Sequence, residues 1–135
     1  LPILQQVLPE LAWLALSGSP FTKLCEERGV KVYHEVFADR AYNPDGTLVN
    51  RALPGALIHD KSFAIDQVKR MVIDSQVKAI DGTLIPIKAD SICLHGDNPQ
   101  VVDFASQLRV ELEAQGVIFR SFTSRSVSEY ESKSK

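Results

Sequence analysis

Two stretches of this chain share one syntax: a short apolar run, a polar corner, then a helix with its own start and stop signals. In the first, residues 11–16 lead into Ser19-Pro20, an N-cap followed by proline at the first helical position. Phe21, Leu24 and Cys25 share one face of that helix, and Gly29 closes it. In the second, residues 91–94 lead through the tight corner His95-Gly96-Asp97 into Asn98-Pro99, again a cap and a first-turn proline. Val101, Ala105, Leu108 and Leu112 then form a buried stripe, and Gly116 ends the helix. Between these units, residues 30–36 alternate as a strand, with Val30, Val32 and Val36 on one side and Tyr33 and Glu35 on the other. Residues 60–75 read as an amphipathic helix with Ala64, Val68, Met71 and Val72 inward. Strands alternating with helices select a parallel sheet, so the expected fold is α/β, built from three or four βα units. A closed barrel of such units takes about eight strands and ~250 residues. This chain is too short to close one alone.

The remaining segments read as follows. Residues 2–9 form a short helix, and residues 11–16 a buried strand. Residues 37–55 form a long loop in which Asn43-Pro44-Asp45-Gly46 fits a type I turn; loops of that length without secondary structure are often functional. Residues 77–87 form a small hairpin turning at Asp81-Gly82, with Pro86 marking an edge strand. Residues 117–119 are a candidate last strand. The domain spans 1–119, and the Ser-rich, charged segment 120–135 is expected to be a disordered tail.

Composition narrows function mainly by exclusion. A net charge of −2 gives no basic field for nucleic acid or an anionic membrane. No apolar run is long enough to span a bilayer, and residues 1–19 lack the positive start of a signal peptide. The two cysteines, Cys25 and Cys93, lie far apart without metal-ligand spacing, which favours reduced thiols in a cytoplasmic protein.

Ligands of α/β folds bind at the carboxyl ends of the strands. Two polar clusters fall there. The first is Glu35-Val36-Phe37-Ala38-Asp39-Arg40, with Arg51 further along the loop; the arginines suit carboxylate or phosphate. Its structural alternative is an internal ion pair, such as Asp39 with Arg40 or Arg51, that pins the loop. The second is His95-Gly96-Asp97-Asn98. Gly96 allows close backbone approach, the following helix offers N–H groups to an anion, and His95 exchanges protons near neutral pH. Asp97 can orient His95 or bind a cation. The alternative here is a capped helix with His95 bonded to its own loop. His34 is read as a packed or surface histidine, and His59 as part of the start of a helix.

The same two clusters carry a family resemblance. Glu35-Val36-Phe37-Ala38-Asp39-Arg40-Ala41-Tyr42, then Asp45-Gly46, Leu48 and Arg51, then Pro54-Gly55-Ala56, resemble the long central motif of the LamB/YcsF family, the lactam-utilisation proteins and A subunits of 5-oxoprolinase. The run from Ala89-Asp90-Ser91-Ile92-Cys93-Leu94 through His95-Gly96-Asp97-Asn98-Pro99 resembles its last motif. The resemblance implies a TIM-like β/α barrel related to the glycoside hydrolase/deacetylase superfamily. It also implies cytoplasmic, ATP-dependent opening of 5-oxoproline to L-glutamate, with ATP as co-substrate and subunits B and C as partners. Carried over by position, Glu35, Asp39, His95 and Asp97 are the catalytic candidates, and Arg40, Arg51, Gly96 and Asn98 bind substrate or phosphate. The resemblance leaves a metal unassigned.

The family's opening Asn-x-Asp-x-Gly-Glu stretch and its early His-containing motifs are absent, and the chain starts at Leu1. The expectation is therefore a C-terminal half, with the N-terminal half missing and no activity alone. Two other readings stand beside it: a non-catalytic, truncated partner-binding protein, and a metal-dependent deacetylase-like hydrolase of carbohydrate metabolism.

Overall fold

The computed structural model describes residues 3, 6, 10–96 and 100–122. Three strands form a parallel sheet: β1 (Trp13–Leu16), β2 (Val32–Phe37) and, out of sequence order, β5 (Ser91–Cys93), with β2 in the centre. Helix α1 (Pro20–Glu27) crosses from β1 to β2. Ser19 caps it, accepting the Thr22 N–H at 3.2 Å, and Pro20 opens it. After β2 come the long loop, α2 (Lys61–Ile73), an antiparallel hairpin of β3 (Gln76–Lys78) and β4 (Leu84–Pro86), then β5 and α3 (Val101–Ala114). The α/β expectation holds, with three strand-to-helix units.

The period-2 alternation of β2 divides the sheet's faces. Val36 is buried and so is Ala38 beyond the strand end, while Tyr33, Glu35 and Phe37 are half-buried. One core joins Ala38 to Ala64, Ile65 and Val68 of α2 and to Phe104, Leu108 and Leu112 of α3, with Ile92 and Leu94 packed against it. A second core sets Met71 of α2 against Val36, Tyr42, Val77 and Ile87. Helix α2 thus seals the sheet on one side and the hairpin on another.

The loop after β2 is strapped down. Isolated bridges join Arg40 to Leu57 and Tyr42 to Leu48, and Ala41, Val49 and Ala56 make a small core inside it. The Asn43–Gly46 turn closes through Gly46 N–H to Asn43 O at 2.9 Å. Two buried side chains fix the loop's exit from the strand. The Tyr42 hydroxyl accepts the Phe37 N–H at 2.9 Å. From α2, the Gln67 amide donates to the carbonyls of Phe37, Ala38 and Arg40 at 3.3, 3.2 and 3.0 Å. One NH₂ group is therefore shared among three backbone acceptors at the strand's end.

Several expectations need correction. Strand β1 is not buried: Leu14 is 47% exposed, because among the described strands β1 pairs only with β2 and lies at an edge. Residues 117–119 are not a strand. Val117 N–H bonds Leu112 O at 3.1 Å to finish α3, and Val117 packs on the core while Ile118 and Phe119 stay outside. The buried stripe of α3 is Phe104, Leu108 and Leu112, with Val101 and Ala105 only half-buried. The expected cap at Asn98-Pro99, most of the helix at 2–9 and the tail from 123 lie outside the described residues.

Two measurements test this arrangement. Gln67→Met keeps the volume but strands the three carbonyls, so urea unfolding should show a loss of about 1–3 kcal/mol. Burial pushes the Tyr42 phenol from 10.0 up to about 12, partly opposed by the Phe37 N–H it accepts. The unfolded phenol ionises first, so this contribution is intact below pH 10 and lost as pH rises from there towards 12. The wild type should lose on the order of 2–3 kcal/mol more than Tyr42→Phe across that window, measured by denaturation at each pH.

Candidate functional site

Strand register brings the site together. Phe37 of β2 and Cys93 of β5 are partners in the parallel ladder. Two residues beyond each, on the same side by the period of the strand, come Asp39 and His95. The Asp39 carboxylate lies 2.7 and 2.9 Å from His95 Nδ1. The Phe37 ring stacks on the imidazole, with centroids 5.8 Å apart and planes at 22°. Arg51, reaching in from the long loop, places Nη2 2.9 Å from His95 Nε2. A guanidinium only donates. Nε2 is therefore the acceptor, the ring is neutral, and Nδ1–H donates to Asp39.

Asp39, Arg51 and His95 border a cavity of about 500 Å³. Ile58, Leu94 and Phe104 give it apolar walls, and His59, Asp60 and Lys61 at the start of α2 give it a charged rim. Asp60 is committed to capping: its Oδ1 accepts from Ser62 Oγ at 2.6 Å and Phe63 N–H at 2.9 Å. Those bonds, the Ser62 one first, hold its carboxyl below the usual carboxylate range. The Asp60 carboxylate occupies the N–H end of α2, so Arg51 and Lys61 are the side chains that give the rim its cationic side.

The other predicted residues fall elsewhere. Glu35 is half-buried, two residues before Phe37 on the same side of β2. Burial first, then the negative charges of Glu35 and Asp39, push the Cys93 thiol up. Both cysteines are free thiols. Arg40 does not join the cavity: it is 7% exposed, Nη2 donates to Val49 O at 2.7 Å, and Nε has no partner among the described residues. The alternative ion pair of Asp39 with Arg40 or Arg51 does not form, since Asp39 pairs with His95. A Cβ at Gly96 would meet nothing within 4 Å, leaving room for close approach. Asp97 and Asn98 lie outside the described residues. His34 is packed, 4% exposed, with Nδ1 3.5 Å from Ser17 Oγ and Nε2 3.0 Å from Glu26 Oε1. His59 does precede the cap of α2, and it also lines the cavity. Sequence reasoning missed Lys61 and Phe37 as site residues. The Asp60 cap was the available signal for Lys61, because it turns the first residues of α2 towards the strand ends. Among the described residues, no group of three or more His, Cys, Asp or Glu is placed to hold a metal ion.

The sequence profile of the LamB/YcsF family matches residues 1–127. The chain belongs to the LamB/YcsF family. It is 54% identical over 107 residues to the A subunit of 5-oxoprolinase from Thermococcus onnurineus, a match covering 79% of this chain and 42% of that protein. A Fusobacterium nucleatum protein of the same name is 47% identical over 118 residues, covering 87% and 46%. The crystal structure of a lactam utilization protein from Thermus thermophilus superposes with a TM-score of 0.77 at 33% identity, covering 88% of this chain and 47% of that one. The chain thus spans less than half the length of these LamB/YcsF relatives. Both stretches whose ends meet at the Asp39–His95 pair fall inside the LamB/YcsF match.

The tautomer is directly testable. Imidazole ¹⁵N spectra should show His95 protonated at Nδ1 in the wild type. Asp39→Asn can donate to Nδ1 as well as accept from it, so that variant should show a mixture of tautomers. An unchanged spectrum would remove Asp39 as the orienting group.

Proposed function

We propose that this chain contributes the imidazole side of an active site for hydrolytic ring opening of a small cyclic amide, 5-oxoproline, to L-glutamate. The observation that carries the reading is the Asp39–His95 pair at a cavity rimmed by Arg51 and Lys61. A five-membered lactam is a stable amide, and its opening has to be driven. With ATP as co-substrate, phosphoryl transfer to the amide oxygen makes the ring carbon electrophilic and releases ADP. Water adds at that carbon, the ring C–N bond breaks with the nitrogen leaving as the free amine, and a second water hydrolyses the resulting acyl phosphate to carboxylate and inorganic phosphate. Such chemistry needs cations for the substrate carboxylate and the phosphoryl group, and a base for the water proton. Arg51 and Lys61 fit the first role. His95, oriented by Asp39, fits the second.

The names of the relatives and the 0.77 superposition support a subunit role on a shared α/β fold, and we propose with it a TIM-like β/α barrel related to the deacetylase superfamily, working in the cytoplasm with subunits B and C. Because the chain spans under half of those relatives, turnover is proposed for it in company and not in isolation. The same observation supports a second reading, in which the chain binds the partner subunits without turnover.

One assay separates the two. The chain is combined with subunits B and C of a relative, and phosphate release is followed with and without 5-oxoproline. The catalytic reading expects 5-oxoproline-dependent release that falls about 10²–10⁴-fold in His95→Gln. Co-purification with the subunits but no 5-oxoproline-dependent release would favour the binding role. A His95→Gln variant as fast as wild type would end the assignment of His95 as acid/base.

A further inference from the structure

Both ring nitrogens of His95 are taken. Nδ1–H is committed to Asp39, and the only lone pair in the ring plane, on Nε2, accepts from Arg51 at 2.9 Å. In this arrangement the imidazole has no site at which to receive a proton.

Arg51 is itself poorly matched. Among the described residues its one hydrogen-bond partner is a neutral nitrogen, and none of the ion pairs there includes it. A guanidinium binds carboxylate or phosphate through two parallel charge-assisted bonds, roughly twice as strong as bonds to neutral acceptors. Arg51 sits on an exposed part of the loop, so its side chain can turn without disturbing a core. His95, by contrast, is held from two sides, by Asp39 and by the stacked Phe37 ring, and keeps its aim when Arg51 leaves.

We propose that Arg51 is a displaceable plug on the base: an anionic group entering the cavity between Arg51 and Lys61 draws the guanidinium off His95 and exposes Nε2. This rests on the reading of His95 as acid/base and adds its regulation. Substrate anion and competent base then appear together. The ligand class is a compact oxyanion, carboxylate or phosphoryl, and Lys61 at the first turn of α2 is the second cation that meets it.

The test is the rate of carbethoxylation of His95 by diethyl pyrocarbonate, which attacks an available imidazole lone pair. Peptide mass spectrometry separates His95 from His34 and His59. Acetate and inorganic phosphate, added at constant ionic strength against chloride, distinguish the carboxylate from the phosphoryl source. Wild-type His95 should label slowly in chloride and roughly tenfold faster with the effective anion, the scale of one charge-assisted hydrogen bond. Arg51→Gln should label fast in chloride and gain nothing from either anion. Wild-type Nε2 should also shift in ¹⁵N spectra as the anion is added, a readout that needs no variant. The plug is overturned if Arg51→Gln labels at the wild-type rate, if neither anion changes wild-type labelling, or if an anion slows both proteins alike. None of these readouts depends on turnover, so the fate of the plug is decided separately from that of the proposed reaction.

Discussion

Everything at the strand ends depends on one carboxamide. Where β2 stops, the backbone must leave the sheet and cross towards the start of α2, and its carbonyls lose their ladder partners. Gln67 takes up the carbonyls of Phe37, Ala38 and Arg40 from the helix side. Unpaired, each would carry a desolvation cost that a buried turn of this kind cannot absorb. Asp39 lies inside the segment so held, and its backbone O accepts from Ile58 N–H at 2.9 Å, which brings the far end of the loop back beside it. The position of the carboxylate is therefore a consequence of helix packing, since Gln67 sits among Ala64, Val68 and Met71 on the buried side of α2.

The second constraint is the order of the sheet. β5 joins β2 in parallel after an excursion through α2 and the hairpin, so residues 56 positions apart in the chain end on the same rim. Parallel register then sets Asp39 against His95, and a chemical pairing follows from backbone geometry. The matched LamB/YcsF crystal structure, of which this chain covers 47%, shares this backbone well enough to superpose on it.

Much of this could be read from the chain alone. The Ser19-Pro20 cap and the period-2 and period-3.6 patterns located the three sheet strands, the hairpin and helices α1 to α3, because those signals are local. The convergence of the Asp39 and His95 clusters was also legible, as both immediately follow strands of a parallel sheet. Long-range packing was not. Nothing near Gln67 marks it as a staple for three distant carbonyls. Phe104 joins Leu108 and Leu112 in the core while Val101 and Ala105 stay half-buried, a choice between two adjacent i, i+4 rows that packing against α2 decides. The exposure of β1 depends on which strands pair with it. Arg40 and Arg51 look equivalent in sequence, yet one turns into the loop towards Val49 and the other out towards the imidazole.

That inward turn of Arg40 matters for how the loop behaves. A guanidinium does not shed its proton to escape burial, and among the described residues this one has a single carbonyl partner and a bare Nε. Lifting residues 40–56 off the body would rehydrate that charge, but it would also pull the fully buried Tyr42 away from Val36, Met71, Val77 and Ile87. The strained cation is thus held down by an aromatic neighbour, and the exposed stretch 51–55 is where the loop moves at least cost. Arg51 stands at the head of that stretch, so its reach can change while the anchored part of the loop stays in place.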